Sequence, residues 1–342
     1  MVYTGAEPTS RENAVTVANN PVDEDFLREA DAYRRELTAH CYRMLGSVHD
    51  AEDLVQETYL RAWRAYDKFE GRSSLRTWLH RIATRACLTA LESSGRRMLP
   101  TGLGAPSADP YVPVVESHEV PWLEPVPDDL VSTEGSDPAS VATSKESIRL
   151  AFVAALQHLP PRQRAVLILR DVLQWRAAEV ADAVGVTTTA VNSILQRARA
   201  QLDEVMPTEE TVSPPTDTEQ RALLDRYVTA FENKDVDAIV ELFTSDAVWE
   251  MPPFPGWYHG PANIGRLIDT QCPAKGPGDM KLVPTTANGQ PAFGVYLLGE
   301  DGVHRPFQLQ VLTLGENGVT HASVFFERDL FETFGLPETV AA

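Results

Sequence analysis

The segment DAEDLVQETYLRAW, residues 50–63, decides how this sequence of 342 residues is interpreted. Apolar residues recur in it at helical spacing and predict a stripe that faces a protein core, formed by Leu54, Val55, Tyr59, Ala62 and Trp63. Polar residues occupy the opposite side: Asp53, Gln56, Glu57 and Arg61. Spacing alone indicates an amphipathic helix with a solvated face, and the sequence that follows gives that face a more specific meaning.

A second helical pattern follows in KFEGRSSLRTWLHRIATRACLTAL, residues 68–91. Its apolar stripe comprises Leu75, Trp78, Leu79, Ile82 and Ala86. The opposite face is polar and cationic, with Arg76, His80, Arg81, Thr84 and Arg85. Such a face suits contacts with phosphates and base edges, although exposed basic helix faces also occur in proteins that bind no nucleic acid.

Together, AEDLVQETYLRAW and GRSSLRTWLHRIATRAC resemble region 2 of the sigma-70 superfamily, in particular its extracytoplasmic-function group, over about residues 27–97. The resemblance implies a surface that docks the coiled coil of the polymerase β′ clamp, with Asp53, Leu54, Val55, Gln56, Glu57 and Arg61. It also implies a surface for the −10 promoter element that captures one unstacked base, with Lys68, Phe69, Arg72, Ser73, Arg76, His80, Arg81 and Arg85. No catalysis is required for either role.

The segment LQHLPPRQRAVLILRDVLQWRAAEVADAVGVTTTAVNSILQRARAQL, residues 156–202, has helix-turn-helix spacing over residues 177–196. Ala181 permits a close helix crossing, Gly185 suits the turn and Thr187 is a candidate N-cap. Outward side chains of the last helix suit base and phosphate contacts: Thr188, Thr189, Asn192, Ser193, Gln196, Arg197 and Arg199. After a region 2 pattern, this segment resembles sigma region 4, which reads the −35 element and contacts the polymerase β flap.

The net charge of −19 argues against DNA binding, because phosphate contacts normally require a cationic surface. Its distribution removes much of the conflict, since residues 101–140 carry −8 and residues 206–342 carry −12. The two helical blocks are close to neutral, so arginines can cluster on one face of each. The same distribution predicts that the free chain binds promoter DNA weakly and that core polymerase supplies much of the affinity.

Residues 99–143 have the composition of a linker, rich in proline and without a basic residue between 101 and 140. In the family, the segment between regions 2 and 4 threads a basic channel of the polymerase, and the acidic charge favours that path. A disordered, solubilising linker is the alternative interpretation.

The last third of the chain begins with helical patterns near residues 219–232, 235–244 and 261–271 and continues with alternating, strand-like segments. Asp301-Gly302 and Asn317-Gly318 are hairpin turn signals. The opening RYVTAFENKDVDAIVELFTSDAVWEMPP resembles the SnoaL-like members of the NTF2-like cone fold, over about residues 218–337. Such folds usually enclose an apolar pocket. The candidate lining residues are Trp249, Met251, Trp257, Tyr258, His259, Gln308, Gln310 and His321.

The expected fold is therefore multidomain, with two all-α units and one α+β unit. We expect a flexible tail over 1–24, region 2 over 25–98, a linker over 99–143, region 4 over 144–205, a second linker over 206–217 and the SnoaL-like unit over 218–337. No apolar run of transmembrane length and no signal pattern is seen, which favours a cytoplasmic location without a membrane partner. Cys41, Cys87 and Cys272 lack metal-ligand spacing, so no metal, disulfide or cofactor is expected.

The leading hypothesis is a sigma factor that binds core RNA polymerase and promoter DNA, with a third unit that contacts regions 2 or 4 or senses a small molecule. Such a fusion makes a separate anti-sigma partner unnecessary, although it does not exclude one. One alternative is a helix-turn-helix regulator that acts without polymerase, which leaves the Asp53–Gln56 face unexplained. The other is a SnoaL-like cyclase or isomerase fused to a DNA-binding module, for which no catalytic residue can be matched.

Overall fold

The structure of the protein, a computed structural model, describes residues 26, 28–93, 95–104, 106, 109–132, 145–206 and 217–341. The tail expected over residues 1–24 lies outside these ranges, as do residues 133–144 of the first linker and 207–216 of the second. Within the described ranges, no helix is both long enough and apolar enough to cross a membrane.

The first unit consists of helices α1 (Arg34–Leu45), α2 (Val48–Ala65) and α3 (Leu75–Ala90), with a short 3-10 turn at Tyr66–Lys68. The Ser47 hydroxyl caps α2 by accepting from the backbone N–H of Asp50, and Ser74 caps α3 in the same way. Gly46 ends α1 with a φ of 72°, and a Cβ there would approach Leu123 to 2.6 Å. The linker therefore packs directly on the end of α1.

The described part of the first linker contains a 3-10 turn at Pro100–Leu103 and a short helix, α4 (Asp128–Val131). Leu123 and Val126 are fully buried in the apolar cluster of the first unit. The Glu124 carboxylate accepts hydrogen bonds from Ser47 Oγ at 2.8 Å and from the Val48 backbone N–H at 3.1 Å. In this arrangement the linker residues 121–127 are an ordered part of the fold.

The second unit contains α5 (Leu150–Leu156), α6 (Pro161–Leu167), a π turn (Ile168–Val172), α7 (Ala177–Val184) and α8 (Thr188–Val205). Gly185 has a φ of 73° in the turn between α7 and α8, and Thr187 caps α8 by accepting from the Ala190 N–H at 3.2 Å. Val191 is fully buried and holds α8 against α7. The expected helix-turn-helix is confirmed by this geometry.

The third unit contains α9 (Asp217–Glu232), α10 (Val236–Glu241), α11 (Pro261–Gln271) and α12 (Asp329–Thr333) with one mixed sheet. Its strands are β1 (Phe243–Met251), β2 (Phe254–His259), β3 (Met280–Ala287), β4 (Gln290–Leu298), β5 (His304–Gly315) and β6 (Gly318–Phe325). They are ordered β2-β1-β6-β5-β4-β3, and β1 and β6 are parallel. The helix predicted over residues 235–244 ends earlier, because Phe243 already begins β1 beside β6.

The two faces of this sheet have different neighbours. The inner face packs on α9, where the Tyr227 hydroxyl donates to Gln310 Oε1 at 2.8 Å. The outer face is also apolar, and Leu309, Val311 and Phe325 belong to the same buried cluster as the cores of the two helical units. The third unit is therefore packed against both of the others rather than tethered beside them.

Asn288 lies where the three units and the linker meet. It occupies the turn between β3 and β4 with a φ of 57°, and it is fully buried. Its side-chain oxygen accepts from the Val126 N–H at 3.0 Å, and its amide nitrogen donates to the Tyr42 hydroxyl at 2.9 Å and to the Ile148 carbonyl at 2.8 Å. One side chain thus joins the first unit, the linker and the start of the second unit.

Candidate nucleic-acid interface

The exposed side of α2 carries the residues expected to dock polymerase. Asp53, Gln56 and Arg61 are exposed, and Arg61 Nε donates to Glu57 Oε1 at 2.7 Å. Val55 is 1% exposed and belongs to the core, so it positions this face without forming part of its surface. The apolar Leu54 is half-buried beside it.

Two large apolar side chains extend the same face of α2. Leu60 is 48% exposed and Trp63 is 44% exposed. The prediction that Trp63 belongs to the buried stripe is wrong, because Trp63 lies seven residues after Gln56 and therefore returns to the side of α2 that Gln56 occupies. We call Asp53, Gln56, Leu60 and Trp63 the docking surface. The spacing of these four residues was the available signal for Leu60 and Trp63.

The loop before α3 carries the first group of expected −10 residues. Lys68 and Arg72 are exposed, and Arg72 forms an ion pair with Glu70. The Phe69 ring packs on Trp78 with centroids 4.7 Å apart, which fixes the loop against α3. A cleft of about 740 Å³ separates this loop from α7 of the helix-turn-helix. The cleft is large enough for a nucleotide base, although α7 forms its opposite wall.

The expected cationic face of α3 is partly buried. His80 and Thr84 are 0% exposed, so the prediction that both lie on an outward face is wrong. His80 is covered by the second unit, where the Trp175 ring meets it edge-on with centroids 6.0 Å apart. Burial lowers the pKa of His80 to about 4, because the charged imidazolium loses its hydration. His80 is therefore neutral near pH 7.

The arginines of α3 are engaged with other parts of the protein. Arg81 Nη1 lies 2.5 Å from Asp182 Oδ2, and Arg85 Nη2 donates to the Asp182 carbonyl at 2.8 Å. Arg85 Nε also donates to the Ala183 carbonyl at 3.3 Å. Because both acceptor residues lie in α7, the first helix of the helix-turn-helix covers the expected −10 face. Sequence spacing gave no signal for this contact, which joins residues about one hundred positions apart.

The outward face of α8 has no such cover in the described structure. Every residue expected to read the −35 element is exposed: Thr188, Thr189, Asn192, Ser193, Gln196, Arg197 and Arg199. Arg199 forms a two-point ion pair with Asp171 of the π turn, at 2.9 and 2.7 Å. This pair lies within the second unit and leaves the N-terminal half of α8 open.

The candidate pocket of the third unit does not form one site. Trp249, Met251 and Tyr258 are buried in the core of the cone, where Phe231 stacks on Trp249 with ring planes 8° apart. Gln308 and Gln310 are buried, whereas Trp257 and His259 lie near the surface. Trp249 Nε1 and Gln310 Nε2 find no hydrogen-bond partner in the described part of the chain.

His321 lies on the outer face of the sheet, so its assignment to the cone interior is wrong. It is opposite Val248 on β1, one position out of phase with Trp249, and its Nε2 lies 2.7 Å from Glu250 Oε1. Glu250 is fully buried and also accepts from Ser323 Oγ at 2.9 Å. Burial alone would raise the pKa of Glu250, but the charge and hydrogen bond of His321 lower it below its ordinary value. Strand alternation around Trp249 was the signal for this placement.

Among the described residues, no group of histidine, cysteine, aspartate and glutamate side chains could hold a metal ion. Glu250 and His321 form a pair with acid and base character in the third unit, and its carboxylate is buried. It lies outside the cone, so it does not correspond to a pocket inside the sheet.

Comparison with protein families gives three matches along the chain. Residues 30–97 match Sigma-70 region 2, residues 149–202 match Sigma-70 region 4, and residues 224–314 match a SnoaL-like domain. The order of the matches is the order of the three units in the structure.

Comparison with whole proteins gives relatives that share this order. The chain is 59% identical over 324 residues to ECF RNA polymerase sigma factor SigG of Mycobacterium tuberculosis H37Rv, a match that spans 94% of this chain and 87% of the relative. The segments WLEPVPD, residues 122–128, and WEMPPFPGWYHG, residues 249–260, are typical of the same actinobacterial type, and the match confirms the resemblance. SigJ of the same organism is 29% identical over 289 residues, or 81% of this chain and 82% of the relative. The crystal structure of M. tuberculosis SigJ superposes with a TM-score of 0.57 at 24% identity, over 91% of this chain and all of that one.

Proposed function

The chain belongs to the extracytoplasmic-function family of RNA polymerase sigma factors, and on this basis we propose which of its surfaces contact core polymerase and which contact promoter DNA. It is an alternative sigma factor that directs transcription initiation with core RNA polymerase at promoter DNA, and it carries a SnoaL-like domain. Homology indicates a transcription factor rather than an enzyme, although SnoaL-like folds can be enzymatic.

The proposed contact with core polymerase is the docking surface on α2. Leu60 and Trp63 supply apolar area beside the polar Asp53 and Gln56, the mixture typical of residues that dominate binding energy. The coiled coil of the β′ clamp is the proposed partner of this surface, and the β flap is the proposed partner of region 4. Both partners place the site of action in the cytoplasm.

The proposed promoter contacts divide between α3, with the loop before it, and α8. Lys68, Phe69, Arg72 and Ser73 border the cleft that would receive an unstacked base of the −10 element. On α8, Asn192 and its polar neighbours would read base edges of the −35 element, while Arg197 would hold a phosphate.

We propose that the described arrangement is a closed state of the free protein. The observation that carries this proposal is the engagement of Arg81 and Arg85 with Asp182 and Ala183 of α7. The same guanidinium groups cannot contact the −10 strand while they hold α7, and His80 is buried beneath Trp175. Core polymerase would separate regions 2 and 4 and free the −10 surface.

The SnoaL-like domain is proposed to stabilise the closed state. Its outer sheet face shares an apolar cluster with both helical units, and Asn288 joins Tyr42, Val126 and Ile148. Residues 206–342, which contain this domain, carry a net charge of −12, so the domain is unsuited to clamp DNA. Because the closure is built into the chain, a separate anti-sigma factor is not needed to cover the −10 surface.

Transcription reconstituted from purified core polymerase tests this function. The chain should support initiation at its own promoters, and Asp53→Ala with Gln56→Ala should raise the concentration needed for half-maximal initiation at least tenfold, since interface residues of this kind contribute about 1–3 kcal/mol each. The matched control is Asp246→Ala with Gln271→Ala in the SnoaL-like domain, which should leave that concentration unchanged. Equal effects of the two double variants would refute the docking surface.

Spin labels test the closed state separately. Cysteines introduced at Arg72 and at Thr189, both exposed, report the distance between the −10 loop and the recognition helix. The free chain should give one narrow distance distribution, and core polymerase should shift it to a longer distance. A distribution that core polymerase leaves unchanged would contradict the closed state.

A further inference from the structure

A second cavity lies outside the cone, where three parts of the chain meet. Its volume is about 480 Å³, within the range of small-molecule sites. Residues 96–104, at the end of region 2 and the start of the linker, form one wall, α5 of region 4 forms another, and the outer face of strands β1, β5 and β6 forms the third. We call it the junction cavity, and no promoter or polymerase contact proposed above uses it.

One wall of the junction cavity is apolar. Leu150, Ala151 and Ala154 contribute it from α5, and Val311 contributes it from β5. The two alanines leave room that a longer side chain would fill. This wall suits the hydrocarbon body of a ligand, because burial of apolar surface is favourable without directional contacts.

The end of the cavity beside the linker is cationic and lacks an anion. Arg96 Nη2 donates to His158 Nε2, so the imidazole accepts in its neutral form and the guanidinium supplies the positive charge at this end. Burial lowers the pKa of both groups, and the charge of Arg96 lowers the pKa of His158 further. Among the described residues no carboxylate pairs with Arg96, whereas the neighbouring Arg97 pairs with Asp50 and Glu124.

The opposite end of the cavity is polar but already neutralised. Glu250 and His321 form their own pair there, with Ser323 and the Thr101 N–H completing the hydrogen bonds of the carboxylate. A second negative charge close to Glu250 would be repelled, so a ligand with one negative charge at the Arg96 end fits better than a dianion.

We propose that the junction cavity binds a small organic monocarboxylate. The carboxylate lies beside the Arg96 guanidinium, the apolar body packs on the wall of α5, and a polar edge reaches His321. Because the walls come from the linker, region 4 and the SnoaL-like domain, a bound carboxylate stabilises the closed state, by an amount that rises with the logarithm of its concentration above the Kd. The stabilisation of the closed state rests on the proposed function, whereas the binding of the carboxylate does not.

Binding is tested with the full chain and three probes, benzoate, 2-naphthoate and octanoate, by isothermal titration and by ligand-observed NMR. At least one probe should bind with a Kd below 1 mM, and its neutral primary amide should bind at least tenfold more weakly, because a charge-assisted hydrogen bond is lost. Arg96→Gln should weaken binding by a similar factor. Arg162→Gln, an exposed arginine of region 4 outside the cavity, is the matched control and should not change it.

Ala154→Phe gives an independent test, since it fills the cavity without removing a charge. It should abolish probe binding while the chain still initiates transcription with core polymerase in the absence of probe. The proposal is overturned if no probe binds at 5 mM, or if the amide binds the unmodified chain as tightly as the carboxylate does. It is also overturned if the Arg96→Gln chain or the Ala154→Phe chain binds the carboxylate as tightly as the unmodified chain does. Loss of core-dependent initiation in the unmodified chain would instead refute the proposed function, so the two failures are distinguishable.

Discussion

The two surfaces proposed to read promoter DNA are in opposite states within one structure. The outward residues of α8 are all exposed, whereas α3 is covered by α7, which precedes α8 in the same helix-turn-helix. Region 4 therefore covers the proposed −10 surface with α7, whereas the residues proposed to read the −35 element lie on α8. A sigma factor needs both elements at once, so closing one surface removes the gain in affinity that comes from linked binding sites.

The exposed ion pair between α3 and α7 is weaker than the buried contacts that hold regions 2 and 4 together. In the Arg81–Asp182 ion pair, the Arg81 side chain is 32% exposed and the Asp182 side chain is 59% exposed. Exposed ion pairs contribute about 0–1 kcal/mol to stability. Deeper contacts are better protected: Arg164 of region 4 is 3% exposed and donates to the Met44 carbonyl of region 2 and to Gln157. The closed state is thus held mainly by buried contacts, which include the three hydrogen bonds of the Asn288 side chain.

Asn288→Gly should have the largest effect on the contrast between the covered surface of α3 and the exposed surface of α8. It removes three buried hydrogen bonds, each worth about 1 kcal/mol, while glycine accepts the φ of 57° without strain. We expect about 3 kcal/mol of lost stability in urea unfolding and faster amide exchange in α3 and α7. Exchange in the N-terminal half of α8, which is already open, should not change.

Two further variants separate the causes of that loss. Asn288→Asp keeps the oxygen that accepts from Val126 but loses both donated bonds, so it should also destabilise the closed state. Asn233→Gly, at an exposed asparagine that bonds only to its own helix, is the control and should cost less than about 1 kcal/mol. If Asn288→Gly costs no more than Asn233→Gly, Asn288 does not hold the units together.

Acidification should open the −10 surface by a smaller amount. The pKa of buried His80 is about 4, below the value of about 6.5 for an exposed histidine, so the open or unfolded chain binds the proton more readily. Closed-state stability is therefore largely complete above pH 6.5 and falls as the pH decreases toward 4, with a loss on the order of 1 kcal/mol by pH 5.5. His40, whose pKa burial also lowers, acts in the same direction.

Unfolding in urea measured between pH 7.5 and 4.5 tests this dependence. His80→Gln should reduce the slope of the profile because one of the two buried histidines is removed, while His259→Gln, at an exposed histidine, should leave it unchanged. A profile that keeps its slope in His80→Gln would assign the pH dependence to other groups.

The sequence allowed the family, the helix-turn-helix and the mixed fold of the third unit to be predicted, because these depend on local periodicity and on motifs such as the Thr187 cap and Gly185. Trp63 was misplaced because a stripe of apolar residues was assumed to face the core throughout. His80 and His321 were misplaced for another reason. Their surroundings come from distant segments, region 4 for His80 and the sheet register for His321, and no local pattern records those contacts.

The smallest effect is expected from Asp182→Ala, which removes the side chain that pairs with Arg81 on the covered surface of α3. The substitution frees Arg81 but leaves Arg85 bonded to backbone carbonyls. The affinity for −10 DNA should therefore increase by no more than about 0.7 kcal/mol, or roughly threefold. The measurement is fluorescence anisotropy of a non-template −10 oligonucleotide with the free chain. Asp171→Ala, which frees Arg199 on the open α8 surface, is the matched control and should leave −10 binding unchanged. Equal gains from the two substitutions would indicate a general effect of removing negative charge rather than the opening of a covered surface.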